Sequence, residues 1–324
     1  MSKSIFLTRQ IPEIAVNKLV EHGYTVDVNP LDQVLTQKEL LDSLSKKPYD
    51  AILSLLTDHI DKDVFLVAPS VKIISNYASG FDNIDINEAK ERGVVVANSP
   101  AMASGEAVAE HTIALMLSLA NRIVEADLFV RAGKYKGWEP MIFPSTSLSG
   151  KTIGIVGTGR IGERVAYYAK CLGLNIVYNN VNRNENFEKE YGAVFCQTLE
   201  ELLPKSDFVS LHVPLLPTTT HLLNAQNFPL MKKSAFLINT SRGPVIDEKA
   251  LAEALKGGVM AGAALDVFEF EPAITPELLN LPNVILTPHI ASASLEARNE
   301  MAEIAAQNII DFFEGKEVIN KVNK

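Results

Sequence analysis

Short apolar runs alternate with amphipathic helical runs along almost the whole chain, and few folds accommodate that alternation. In the first hundred residues SIFL reads as a strand and IPEIAVNKLVEHG as a helix stopped at Gly23. TVDV is a second strand, and Thr36 opens TQKELLDSL, where Glu39 completes a capping box. DAILSLL and VKIISNY follow as strands, INEAKERG as a helix closed by Gly93, and VVVAN as a further strand. Strands that alternate with helices pair in parallel and bury both faces of their sheet, an α/β arrangement. A long helical pattern, EAVAEHTIALMLSLANRIVEADLFVRAG, interrupts, and a second alternation starts at KTIGIVG. Its strands are TIGIV, NIVYN, AVFC, FVSLH, AFLINT, AGAALDV and NVILT, followed by one last helix from Ser292 to Gly315. At 324 residues the chain exceeds what one hydrophobic core serves, so two domains are expected, the second starting near residue 100. The last helix fits either half.

Gly157, Gly159 and Gly162 in VGTGRIGERVA stand directly between a strand and a helix. The first glycine permits the tight turn, the second lets backbone N–H groups reach a pyrophosphate, and the third lets helix and strand pack closely. The helix N-terminus adds partial positive charge. Alone, the pattern also fits a plain glycine-rich turn; the strand before it and the helix and strand after it supply the context of a dinucleotide site. At the end of that next strand a carboxylate would bond the ribose 2′-hydroxyl of NAD and repel the 2′-phosphate of NADP. The chain has Asn180 there, which bonds a hydroxyl and repels nothing, with Arg183 three residues on. Arg183 either meets a phosphate, tipping the preference about tenfold or more, or faces water. The expectation is use of both cofactors with a lean to NADPH.

The net charge of −9 is spread along the chain with no basic tract, which argues against nucleic acid as a partner. No run approaches the roughly 18 apolar residues that span a bilayer, and the N-terminus lacks a signal peptide's apolar middle. Cys171 and Cys196 lie in apolar stretches at no metal-like spacing and read as buried thiols, in keeping with a reducing cytoplasm. No histidine pair has HxxxH spacing and no GxSxG elbow occurs, so neither a metal site nor hydrolase chemistry is expected.

In open parallel sheets ligands bind beyond the carboxyl ends of the strands. The polar residues at those ends in the second half are His212, Ser241, Arg242, Asp266, Glu271 and His289. Reduction of a 2-oxo acid by hydride needs a clamp on the carboxylate, which arginine's planar fork supplies. It needs a proton donor for the carbonyl oxygen, and histidine serves near neutral pH. A neighbouring carboxylate orients and favours the imidazolium. Taken singly, Arg242 fits a surface ion pair, Glu271 an ordinary acid before a proline, and His289 a strand end satisfied by backbone. Together at one edge they fit catalysis. His22, His59 and His221 are expected in solvent, and His111 as a packed helical residue.

The stretches LLTDHID, SGFDNID, AVAEHTIALML, GIVGTGRIG, LHVPLLPTT, INTSRGPVIDEKAL, ALDVFEFEP and TPHIASA, in that order, resemble the D-isomer-specific 2-hydroxyacid dehydrogenases nearly end to end. The resemblance implies two Rossmann- or flavodoxin-like doubly wound parallel-sheet domains with a cleft between them. Residues 1–98 and 288–324 would form a discontinuous substrate domain, which takes the last helix, and 99–287 the dinucleotide domain. It implies Arg242 as the substrate-binding arginine, His289 as acid/base and Glu271 as its partner. Asp266 would lie near the nicotinamide amide. Arg160 and Ile161 would lie on the pyrophosphate loop; His212, Val213, Pro214, Thr219, Thr240, Ser241 and Ser292 would complete the cofactor contacts beside Asn180 and Arg183. Leu56, Ser79 and Gly80 would meet the substrate, the last two through backbone amides.

Within the family LLTDHID and SGFDNID look most like glyoxylate and hydroxypyruvate reductases. The strand-end segments LSLLTDHI, NYASGFDN and ANSPAMASGEA hold no lysine or arginine to receive a phosphorylated substrate. The chain stops soon after the last helix, leaving no room for a regulatory domain. A small unphosphorylated 2-oxo acid is therefore expected, with 2-ketogluconate or phenylpyruvate as alternatives that differ in pocket volume. A corepressor-like NAD(H) sensor is the alternative from another class. The resemblance also implies a homodimer through the 100–145 region, where Trp138 either reaches the partner's pocket or anchors the interface.

Overall fold

The structure is a computed structural model that describes residues 2–323. The chain forms two compact units, one of Met1–Ser104 with Ala293–Lys324 and one of Gly105–Ser292.

The first unit is built on five strands, β1 (Ser4–Leu7), β2 (Thr25–Val28), β3 (Ala51–Leu55), β4 (Ile73–Tyr77) and β5 (Val95–Ala97), in the order β2-β1-β3-β4-β5. Every pair is parallel, the flavodoxin-like order of doubly wound sheets. The crossovers carry α1 (Glu13–Glu21), α2 (Gln37–Leu44), α3 (Lys62–Val67) and α4 (Ile86–Glu91). Thr36 and Glu39 close the expected capping box at the start of α2. The helix α3 was not anticipated; at six residues it shows little period, and its start is fixed by Asp61, whose side chain accepts from the N–H of Asp63 and Val64. The C-terminal helix Leu295–Phe313 belongs to this unit. It lays Met301, Ala302, Ala305, Ala306 and Ile309 against Ile5, Leu7, Leu53 and Ile73, and its alanines let Ser75 Oγ donate to Ala305 O at 2.9 Å.

The second unit takes α5 (Met102–Ala120) from Gly105 onward, then α6 (Ile123–Arg131), where one continuous helix was expected. The break is at Arg122, which takes a left-handed φ of 55° and folds its guanidinium back onto Glu125. Seven strands follow: β6 (Thr152–Val156), β7 (Asn175–Asn179), β8 (Val194–Phe195), β9 (Phe208–Leu211), β10 (Phe236–Asn239), β11 (Gly262–Leu265) and β12 (Val284–Leu286). They run in the order β12-β11-β10-β9-β6-β7-β8, all parallel. The helices α7 (Arg160–Cys171), α8 (Glu185–Tyr191), α9 (Leu199–Leu202) and α10 (Glu248–Lys256) lie between them. Successive residues of a strand feed opposite cores: Val209 and Leu237 join one, Phe208 and Ile238 the other. That is why these strands read as continuous apolar runs.

Strand order reverses between β6 and β9, and the glycine loop leaves the sheet there. Gly157 sits at φ 94°, and a Cβ on it would lie 2.5 Å from His212 O. A Cβ on Gly162 would lie 2.1 Å from Gly157 O, so α7 reaches this closeness to β6 only with glycine at 162. Cys196 is buried as expected, but Cys171 is exposed, because the last residue of α7 falls on its outer face. Gly162→Ala is expected to destabilise the fold by about 1–3 kcal/mol, the usual cost of forcing atoms into a packed contact. Urea midpoints of the two proteins measure it, and an unchanged midpoint contradicts the close packing.

Candidate active site

Parallel register brings the strand ends of the second unit level with one another. Val156 pairs with Leu211, Leu211 with Asn239, Asn239 with Leu265 and Leu265 with Leu286. The residues that follow these five therefore share one edge, and they include Gly157, His212, Thr240, Asp266 and Thr287.

Asp266 is fully buried and organises that edge. Its Oδ1 accepts from Thr287 Oγ1 at 2.6 Å and from the N–H of Ile290 at 2.9 Å; its Oδ2 accepts from the N–H of Ala291 at 2.7 Å. Its carbonyl accepts from the N–H of His289 at 2.9 Å. Four bonds thus hold the loop after β12, and His289 adopts φ 54° within it. This aims the imidazole at Glu271, with Nδ1 2.9 Å from Oε2. The other oxygen of Glu271 accepts from the N–H of Phe268 at 2.9 Å. Burial would raise the Glu271 carboxyl; its hydrogen bonds to His289 and Phe268 and the charges of His289 and Arg242 outweigh this and hold it below the usual range.

Arg242 lies on the loop after β10, and its Nη1 donates to Ser241 O at 2.8 Å. Asn239 ties this loop together, with Nδ2 donating to Arg242 O and Oδ1 accepting from both Ser241 N and Ser241 Oγ. Thr240 is buried and its Oγ1 meets Thr112 Oγ1 at 2.8 Å. At Gly243 the loop touches its neighbour from β11: an added Cβ would fall 1.9 Å from Phe268 C and O. The structure thus brings Arg242, Glu271 and His289 onto adjacent loops of one unit.

At the dinucleotide loop, Gly159 and Arg160 are exposed at the start of α7, and a Cβ on Gly159 would meet nothing within 4 Å. Open backbone there, over a helix N-terminus and between two glycines that tolerate no side chain, is the cradle a pyrophosphate requires. Ile161 is half-buried against the core and Val213 against the other face. Thr219 closes the turn after β9, its Oγ1 donating to Pro214 O at 2.6 Å and accepting from Leu216 N. Ser292 is part-exposed at the end of the Asp266-bound loop. His212 Nε2 lies 2.8 Å from Ser210 Oγ, and burial pushes the ring down to about 3, so it is neutral at physiological pH. Asn180 donates to Asn182 O at 3.1 Å. Arg183 is engaged by the chain itself: Nε and Nη2 each lie 2.8 Å from an oxygen of Glu188, which the guanidinium and the Tyr178 hydroxyl hold down to about 2.

In the first unit the loop after β4 holds Ser79 and Gly80. Asn76 Nδ2 donates to Gly80 O and Asn98 Nδ2 to Ser79 O, while Asn83 Nδ2 donates to Leu55 O and Asp58 O. Leu56 stands exposed beside buried Asp58, which accepts from Leu55 N and Thr8 Oγ1.

Two histidines differ from expectation. His111 is not simply packed: its Nε2 lies 3.2 Å from Thr287 Oγ1 and 3.6 Å from Asp266 Oδ1. His221 is not merely solvated, because its Nε2 meets Glu269 Oε1 at 2.6 Å. Both contacts span long sequence separations that no local pattern reports. Among the described residues no group of three or more His, Cys, Asp or Glu is placed to hold a metal ion.

Residues 113–291 match the family model described as D-isomer specific 2-hydroxyacid dehydrogenase, NAD binding domain. The chain is 47% identical over its full length to a glyoxylate reductase of Thermococcus litoralis, covering 98% of that protein. Among solved structures it resembles an NADPH-dependent glyoxylate/hydroxypyruvate reductase of Sinorhizobium meliloti in complex with NADP and malonate. The TM-score is 0.85 at 30% identity, over 99% of this chain and 97% of that one. A Thermus thermophilus protein superposes with a TM-score of 0.91 at 38% identity, over 98% of this chain and 99% of the other.

The neutral ring of His212 has a measurable consequence. In the unfolded chain it titrates near 6.5 and in the fold near 3. Between those values only the unfolded chain takes up the proton, so stability falls as the pH drops through this window. Wild-type protein is expected to lose about 2 kcal/mol more than His212→Asn between pH 7 and pH 5, read from urea denaturation at each pH. Equal losses in the two proteins contradict a buried neutral ring.

Proposed function

This chain belongs to the D-isomer specific 2-hydroxyacid dehydrogenase family, and we propose that it reduces glyoxylate and hydroxypyruvate to their 2-hydroxy acids with NAD(P)H. The 2.9 Å contact between His289 and Glu271, on loops next to the one bearing Arg242, carries this reading.

In it, Arg242 grips the carboxylate of the 2-oxo acid, the planar fork matching two oxygens at once. His289 gives its proton to the carbonyl oxygen as negative charge builds there. Glu271 stays ionised, takes the Nδ1 proton in a hydrogen bond and so turns Nε2 toward the substrate. Ser79 and Gly80 offer backbone amides to the substrate carboxylate, with Leu56 as a further substrate contact. The residues from Gly157 to Gly162, with His212, Val213, Pro214, Thr219, Thr240, Ser241, Asp266 and Ser292, hold the cofactor, and the reduced nicotinamide supplies the hydride. Asp266 serves mainly by holding the loop of His289. Asn180 and Arg183 favour NADPH without excluding NADH. The absence of Lys and Arg from the strand-end segments of the first unit favours an unphosphorylated substrate.

A homodimer is proposed through residues 100–145. Within that stretch α6 has no buried residue and exposes Ile123, Val124, Leu128 and Val130, followed by Tyr135, Trp138 and Met141. Apolar surface of this extent marks an interface. Light scattering is expected to give twice the chain mass, and a monomer contradicts the assignment. The two free thiols fit a cytoplasmic setting, and among the described residues no helix is long and apolar enough to cross a membrane.

The test is a panel of glyoxylate, hydroxypyruvate, pyruvate and 2-ketogluconate with each reduced cofactor, followed by nicotinamide absorbance. Glyoxylate and hydroxypyruvate are expected to lead, with kcat/KM higher for NADPH. A strong preference for NADH overturns the cofactor assignment, and inactivity on every acid overturns the function. His289→Ala should lower kcat by about 10²- to 10⁴-fold, and Arg242→Ala should weaken transition-state binding by about 2–5 kcal/mol. Near-normal turnover in either variant means that the site lies elsewhere.

A further inference from the structure

The loops that carry Arg242 and Glu271 are joined by a contact that the reaction itself does not use. Glu248 opens α10 and is 1% exposed. Its Oε1 accepts from the N–H of Glu269 at 2.5 Å, and its Oε2 from the N–H of Thr275 at 3.2 Å. Glu269 returns the bond: its Oε2 accepts from the N–H of Glu248 at 3.0 Å, while its Oε1 meets His221 Nε2 at 2.6 Å. Each carboxylate thus satisfies the other residue's backbone, as in a capping box, but across two loops instead of along one helix.

The contact has a second anchor. Gly243, next to Arg242, lies so close to the carbonyl of Phe268 that no side chain fits there. The segment 243–248 is therefore fastened to 268–275 at both ends. Glu271 lies inside the fastened stretch, one oxygen on the N–H of Phe268 and the other on His289. Charged neighbours of Glu271 are His289 and Arg242. A buried carboxylate is costly unless its hydrogen bonds are made. Here the bonds made are backbone bonds of the loop that carries Glu271.

We propose that Glu248 and Glu269 are positioning residues: a reciprocal two-carboxylate latch that sets Glu271, and through it His289, relative to the arginine that grips the substrate. The proposal rests on the catalytic roles given above to Arg242, Glu271 and His289. The latch takes no part in the chemical steps assigned to Arg242, Glu271 and His289. It acts through the geometry of Glu271, so its loss is felt in kcat and in the pH profile before it is felt in binding.

The experiment compares wild type with Glu248→Ala, Glu248→Gln and Glu269→Gln in steady-state reduction of glyoxylate across pH, with melting curves as the fold control. Glu248→Ala should lower kcat by about tenfold to 10²-fold, the range expected for slight misplacement of a catalytic group, with KM for NADPH within about twofold. Its pH–rate profile should also move, because Glu271, which holds Nδ1 of His289 at 2.9 Å, is displaced. Glu248→Gln keeps the shape and one acceptor and should recover most of kcat, and Glu269→Gln should fall between the two. A folded Glu248→Ala with wild-type kcat and an unmoved pH profile overturns the latch. If that variant does not fold, Glu269→Gln and hydrogen exchange on wild type decide. Amides of Glu269 and Thr275 should exchange slowly; rapid exchange together with wild-type kinetics in Glu269→Gln overturns it. Inactive wild type on every acid would instead sink the functional assignment, which separates the two failures.

Discussion

A single carboxylate with no surface exposed to water, Asp266, governs the site more than any group proposed to react. Its two oxygens and its carbonyl gather Thr287, His289, Ile290 and Ala291. Leaving one oxygen of such a buried group without its hydrogen bond costs about 1–3 kcal/mol. The loop after β12 is therefore fixed, and a left-handed histidine backbone persists within it. An acid/base group needs that rigidity, since its proton must be delivered in one direction. His111 adds a further contact from α5 to the same pair, Thr287 and Asp266.

Two histidines on the same edge are driven to opposite uses by their surroundings. His212 is half-buried and faces a hydroxyl, and desolvation pushes its ring toward the neutral form. His289 is part-exposed and faces a carboxylate held ionised by its neighbours. Burial disfavours the charged imidazole in the first case, and in the second the ring is oriented by a carboxylate 2.9 Å from Nδ1.

Much of this was legible before any coordinates. Each strand of both sheets falls within a stretch that reads as a strand, TVDV for β2 and AVFC for β8 included, and Thr36 with Glu39 marks a helix start by chemistry alone. Gly157 and Gly162 could be assigned to turn and packing because their spacing is set by one loop. What stayed hidden depends on residues far apart in sequence. The break at Arg122 follows from a fold-back onto Glu125 that helix periodicity does not register. The exposure of Cys171 depends on which face of α7 meets the sheet. Glu248 stands in a first helical turn, a place where acids are common anyway. Its burial against Glu269 becomes visible only once β10 and β11 are adjacent.

The end of β7 shows how selectivity can arise without a dedicated contact. An aspartate at 180 would repel a second phosphate, whereas Asn180 donates to Asn182 O and opposes nothing. Arg183 rests on Glu188; its own side chain is well exposed, that of Glu188 only partly. The pair is made by two hydrogen bonds of 2.8 Å, and a phosphate on the same guanidinium would have to displace them. Meanwhile the pair keeps the arginine's planar fork ordered beside the strand end, which lowers the entropy lost when a phosphate is gripped. The proposed lean toward NADPH follows from a cation already in place, and its modest size follows from the carboxylate that must first give way.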